Sequence, residues 1–132
     1  MAEVNFRAWD KDGEYMEYTD RNLIVSFGDN GNVDATDLSN IYSTCNGMQN
    51  FELMQSTGLK DISGTVIYEG DIVHVNYKLS IVKYAKGSFY IEFIDFPKII
   101  MLSDFYFKSY TNDLILKVLG NIYENPELLE DN

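Results

Sequence analysis

Cysteine is nearly absent from the chain: Cys45 stands alone, so no disulfide can close within it, and its cysteine usage gives no sign of an oxidising compartment. Histidine is as scarce. His74 is the sole example, and the paired His and Cys ligands on which zinc sites are built are missing. Basic residues number only ten against 21 acids, and the resulting formal charge of -11 disfavours direct binding to nucleic-acid phosphates or anionic lipid surfaces. Long apolar runs are also lacking. None approaches the ~18 residues of a membrane helix, and Met1 to Asp10 lacks the apolar stretch of a secretory leader, so a cytoplasmic location is expected.

What is present suits a packed β protein. Hydrophobic residues make up 45% of the 132, and ten Tyr, eight Phe and one Trp favour pleated, half-buried surfaces. The length fits one core, or one core with a small appendage. The charge is uneven. Residues 1–50 hold nine acids and three bases, residues 51–100 six and five, and residues 101–132 six and two, so the acidity lies in the flanks.

Val4, Phe6 and Ala8 alternate with Asn5, Arg7 and Trp9, the period of a strand. Asp10-Lys11-Asp12-Gly13 supplies turn chemistry, and Glu14 to Tyr18 returns as a second strand. Leu23 to Phe27 is a short β-type run. From Gly28 to Asn50 the Gly and Asn residues predict a loop-rich insertion, and no Lys or Arg occurs from Asn22 to Leu59. Phe51 to Gln55 is another apolar run, and Leu59 to Gly64 reads as a strand end entering a turn.

Tyr68-Glu69-Gly70-Asp71 precedes Ile72 to Tyr77; Gly70 can take positive φ for entry into the strand, and the Asp71 carboxylate can accept a backbone N–H. Val73, Val75 and Tyr77 are the expected core face, with Ile72, His74 and Asn76 outside. Ser80 to Tyr84 and Phe89 to Ile94 flank Lys86-Gly87, predicting a meander with Phe89, Ile91 and Phe93 inward. Ile99 to Phe107 fits either a strand or a short helix. Leu114 to Ile122 predicts a last strand bent at Gly120, and Pro126 can open a short acidic helix through Glu130.

Three segments together resemble the YopX family of phage and prophage proteins. They are Asn5 to Asp10, then Leu53 to Asp61 running on to Ile67 to Val73, and Gly120 to Glu127. Ser56 sits where such sequences often carry an aromatic. The resemblance implies an SH3-like β-barrel in the C-terminal half and an origin in a phage or integrated prophage; it implies no activity. The expected organisation is a β-hairpin and loop-rich extension over residues 1–55 and an SH3-like barrel with a short acidic helix over residues 56–132.

No set of residues forms a recognisable catalytic, cofactor or metal site. His74 reads as a surface histidine, because acid/base or metal chemistry needs several convergent groups. Cys45 lacks a basic neighbour to make its thiol nucleophilic. Glu69 and Asp71 could pair as carboxylates, yet Gly70 between them favours turn capping, with Gly70 and Asp71 as structural turn residues. Asp29, Asp34 and Asp37 do not have the spacing of a calcium loop and read as solvated. Trp9, Phe6 and Tyr15 could form an aromatic platform but fit core positions better. The tail acids Glu124, Glu127, Glu130 and Asp131 are the candidate partner-binding groups.

The expected function is therefore a non-enzymatic interaction protein of a phage, in the cytoplasm of a bacterial host cell, without a cofactor, binding a protein partner and its own copies. The rival is an acidic inhibitor that presents carboxylates to a host nucleic-acid-binding enzyme, such as a defence nuclease, in place of phosphates.

Overall fold

The computed structural model describes residues 4–39, 47–95, 97–109 and 115–130. Cys45, Asp131 and the middle of the expected 28–50 loop lie outside the described residues. The chain forms two compact units, the first running through Gln55 and the second from Ser56 onward. Both are mainly antiparallel β structure.

In the first unit, β1 (Phe6–Asp10) and β2 (Tyr15–Tyr18) form the hairpin that the alternating pattern predicts. Its turn is tied by the Asp10 carboxylate, which accepts the backbone N–H groups of Asp12 and Gly13 at 2.9 and 3.0 Å. The run at Leu23 becomes β3 (Leu23–Phe27), but the stretch after it is more ordered than a loop. β4 (Val33–Asp37) pairs with β3 along its whole length, because Gly28 to Asn32 makes a tight reversal closed by the Gly28 N–H on the Asn32 carbonyl. Asp34 and Asp37 are therefore strand residues rather than loop residues. Ala8, Leu23, Ala35 and Met48 form the small core, with Tyr15, Val25, Phe51 and Leu53 packed around them.

β5 (Phe51–Lys60) is twice the length expected for it; its first half pairs with β1, and Ser56 to Lys60 run in the second unit beside β6 (Val66–Tyr68). There β7 (Asp71–Val75), β8 (Lys78–Ala85) and β9 (Ser88–Phe93) make the predicted meander. The ambiguous segment is both things in turn: β10 (Ile99–Met101) pairs with β9 and leads straight into α1 (Leu102–Ser109). β11 (Leu116–Asn121) returns to pair with β7, its register shifting between Val118 and Gly120, and a 3₁₀ turn (Pro126–Leu129) follows. The sheet order is β10-β9-β8-β7-β11.

Val73, Val75, Val82, Ile91 and Phe93 enter one core with Ile67, Leu102, Phe105 and Leu116. At ~25 cal/mol per Å² of apolar surface, each fully buried aliphatic or Phe side chain here contributes roughly 1.5–3 kcal/mol. Two expectations for β7 fail. Ile72, assigned to the outer face, is as fully buried as Val73, and Tyr77, assigned to the core, is 90% exposed because the strand has already turned at Asn76.

Buried polar residues hold the turns of the second unit. Gly70 has φ +89°, its N–H donates to the Val82 carbonyl, and the buried Asp71 carboxylate accepts the Tyr68 N–H at 2.8 Å. Asp61, also buried, accepts three backbone N–H groups: Ser63 and Thr65 on one oxygen and Val118 on the other, at 2.8 to 2.9 Å. Burial pushes the Asp61 carboxyl upward, but the N–H groups of Val118, Thr65 and Ser63 and the charge of Lys117 outweigh it and leave the group below its ordinary value.

A carboxyl held low in the folded state stabilises above its unfolded value and loses that contribution as pH falls through the folded one. Stability should therefore decline below about pH 4, the ordinary aspartate value. Asp61→Asn replaces an acceptor oxygen with an NH₂ group facing an N–H donor and should cost about 1–3 kcal/mol at neutral pH. Its melting temperature should also fall less steeply than the wild type's between about pH 5 and pH 2. Identical acid profiles for the two proteins would show that Asp61 is not the group responsible.

Candidate functional site

The residues that open a surface on the second unit are set by two hairpin turns of the same kind. β7 and β8 are joined by two residues, Asn76 and Tyr77, both at positive φ (+49° and +70°). β8 and β9 are likewise joined by Lys86 and Gly87, at +53° and +78°. These are the dihedral signs of type I′ turns, whose twist matches that of the flanking strands and whose second position favours glycine. Gly87 meets that demand. Tyr77 does not, since an L residue in the left-handed region costs roughly 1–2 kcal/mol.

Asn76 pins its turn from the side: its N–H donates to the Ile115 carbonyl, and its side-chain oxygen accepts the Ile115 N–H at 2.8 Å. Tyr77 is thereby held in solvent, beside an open groove of about 850 Å³. Leu79, Ile94, Leu119 and Leu128 supply apolar walls, while His74, Lys78, Asp95 and Glu130 bring polar and charged groups to it. A second depression of about 690 Å³, lined by Glu92, Pro97 and Lys98 among others, adjoins it through the shared residues Ile94 and Asp95. Ile94 and Leu119 are each 38% exposed, so the groove presents apolar surface to water.

The tail acids divide. Glu124 accepts the Asn121 side-chain amide at 2.9 Å and so closes a turn; Glu127 is exposed on the 3₁₀ turn; Glu130 lies at the groove; Asp131 is outside the described residues. Asn121 is the centre of that turn. Its side-chain oxygen accepts the N–H groups of Tyr123 and Glu124, and Asn125 returns its own side-chain oxygen to the Asn121 N–H. Gly120 leaves room for this arrangement, because a Cβ there would overlap the Asn125 side chain.

In the first unit, the register places Trp9 on the opposite face of the hairpin from Phe6 and Tyr15, so the three do not form one platform. Tyr15 packs against the core and its hydroxyl donates to Asp37 at 2.6 Å. Burial, that hydrogen bond and the charges of Asp37 and Asp10 all push the phenol well above its ordinary value. Burial pushes the Asp37 carboxyl up, but the Tyr15 hydroxyl and the Ser39 N–H and O–H outweigh it and hold the group low. Among the described residues, no three His, Cys, Asp or Glu side chains gather closely enough to hold a metal ion. Nor is any helix among them long and apolar enough to cross a membrane.

The architecture is that of a small, mainly antiparallel β protein with an open groove of mixed polar and apolar lining at one hairpin turn. The chain belongs to the YopX family, whose description is YopX protein and whose pattern matches residues 5–130. The structure is similar to that of protein EF1440 from Enterococcus faecalis, with 28% sequence identity, a TM-score of 0.58, and coverage of 98% of this chain and 100% of that one. It is also similar in fold to protein yopX from Bacillus subtilis, with 23% identity, a TM-score of 0.68, and coverage of 100% and 99%. No curated protein matches the chain in sequence.

Sequence reasoning missed Tyr77 as a surface residue. The signal was there: Asn76 followed by one residue between two alternating runs is a two-residue hairpin pattern, which would have moved Tyr77 from the core face to the turn. Tyr77→Gly relieves the strained second position and should raise the unfolding free energy by about 1 kcal/mol. Denaturant unfolding measures this directly. A fall in stability would mean that the tyrosine ring stabilises the protomer more than its backbone strain costs.

Proposed function

We propose that the protein is a non-enzymatic interaction protein of phage or prophage origin, acting in the cytoplasm of the bacterial host through the groove beside Tyr77 and through association with its own copies. One observation carries this reading: an aromatic side chain is kept in solvent at a turn position where glycine would be easier, next to a groove that combines apolar walls with charged groups. Local strain of this kind at an exposed aromatic fits a binding role better than a stability role. Its neighbours Leu79, Ile94 and Leu119 offer apolar contact area, and Tyr is among the residues favoured at the centre of protein interfaces.

The second unit is best read as an SH3-like barrel. The support is topological: a three-stranded meander, then a helical segment, then a last strand that pairs with the meander's first strand. Barrels of this kind host many functions, so the fold adds no activity.

A second reading has its own observation. Through Gln55 the chain holds ten acids and three bases, and none of the three bases stands as an isolated surface cation. Arg7 is buried, Lys11 pairs with Glu52 at 2.6 Å, and Arg21 lies over the Tyr18 ring at 4.8 Å. An acidic first unit could occupy a basic, phosphate-binding host protein, and such binding would weaken steeply with salt.

Affinity capture from lysogenic cells compares wild type with Tyr77→Gly. A protein retained by wild type and lost on the glycine variant, at equal or higher melting temperature, is the expected result. Identical capture by both would remove the groove from the account, and capture lost mainly with added salt would favour the acidic inhibitor.

A further inference from the structure

The strand edges of this protein are not treated alike. In the second unit, β11 is closed along its outer side: the Val118 N–H donates to Asp61, and the Leu116 carbonyl accepts the Ile62 N–H at 3.1 Å. β10 is three residues long and is preceded by Pro97 and Lys98, both of which discourage pairing. In the first unit, the outer side of β4 is engaged by Gly47 and Met48, the latter donating its N–H to the Ala35 carbonyl at 2.8 Å. β2 carries Glu17 and is flanked by Glu14 and Asp20, so pairing it with a copy of itself sets carboxylates against carboxylates.

β3 has none of these protections. Its five residues, Leu-Ile-Val-Ser-Phe, are uncharged, and Ile24 and Phe27 are 51% and 59% exposed. Its hydrogen-bonding alternation can be read from its ends. The Leu38 N–H donates to the Asn22 carbonyl and the Gly28 N–H to the Asn32 carbonyl, so Ile24 and Ser26 share the ladder with β4. Leu23, Val25 and Phe27 then direct their N–H and C=O groups away from β4, and among the described residues no strand meets them.

We propose that β3 is the self-association edge of this protein, two copies pairing antiparallel about a two-fold axis at Val25. This inference rests on the self-association in the proposed function and assigns it a surface. The register sets Val25 against Val25 and Leu23 against Phe27 of the second copy, which extends the apolar face of Leu23, Val25 and Phe27 across the junction and covers the exposed ring. The chain turns away at both ends of β3, at Arg21 before it and at Asp29 after it, so the pairing is confined to this uncharged stretch. A second copy is the occupant that supplies the matching main-chain groups together with a self-complementary apolar sequence, Leu23 to Phe27.

The test combines mass with position. Light scattering on the full chain should give an assembly at low and moderate ionic strength, strengthened by added salt as the repulsion of like-charged protomers is screened. In a Cys45→Ser background, Val25→Cys should cross-link on oxidation, because directly opposed hydrogen-bonded residues have Cα atoms about 5.5 Å apart, within disulfide reach. Ile24→Cys should not, because in this register its copies are diagonal neighbours about 7–8 Å apart. Ile24→Lys combined with Ser26→Lys sets lysine against lysine across the seam while both positions are solvent-facing in the protomer, and should reduce the mass to that of the 15.2 kDa monomer. An assembly that survives the double lysine change and cross-links no better at 25 than at 24 overturns the assignment to β3 but leaves self-association standing. A monomer under all conditions overturns both.

Discussion

The turn between β5 and β6 and the edge strand β11 of the second unit both depend on the buried Asp61 carboxylate. That carboxylate gathers three backbone N–H groups, two from its own turn and one from the last strand, and so joins residues far apart in the chain. An isolated buried carboxylate is costly, and one accepting several N–H bonds offsets that cost and stays ionised. Two consequences follow in the structure. The turn between β5 and β6 is fixed, and the outer edge of β11 is closed, so the five-stranded sheet ends in a hydrogen-bonded turn rather than in open backbone groups.

The same economy explains why family membership is legible in this sequence while activity is not. The segments that carry the YopX resemblance are turn-closing segments. Asp10 ties the β1–β2 turn, Asp61 and Asp71 cap turns of the second unit, Gly70 supplies a left-handed residue, and Asn121 with Asn125 closes the chain's last reversal. Each is identifiable because side-chain-to-backbone hydrogen bonding and positive φ restrict the residue types that fit. None of these groups faces the groove. Motifs of this kind report how the chain folds and are silent about what the surface touches.

Strand positions with strict alternation were readable, and the failures have local causes. The period-two sequence pattern locates β1, β2, β3 and the meander, although burial does not alternate along β1 or β7, where neighbouring residues such as Arg7 and Ala8 or Ile72 and Val73 are both buried. β4 was hidden because Val33 to Asp37 carries two aspartates and follows a Gly and Asn cluster, so polarity masked a strand whose buried residue is a small alanine. Ile99 to Phe107 fits no single element because it spans two, a strand passing into a helix without a break. Alternation alone puts Tyr77 on the core face with Val73 and Val75, but the backbone reverses at Asn76 before that step is reached. The groove was out of reach for a different reason. Its walls come from β7, β8, the two residues after β9, β11 and the 3₁₀ turn, which only the closed sheet brings together.

The proposed self-association divides the backbone between a sheet edge closed by the buried Asp61 and an uncharged edge at β3 that no strand meets among the described residues. Amide hydrogen exchange at Val118 and Val25, followed over protein concentration, tests that division most directly. The Val118 amide, bonded to Asp61 within the protomer, should exchange slowly and independently of concentration. The Val25 amide should exchange quickly at high dilution and become protected as concentration rises. Protection of Val25 that does not change with concentration, or rapid exchange of Val118, would contradict the account.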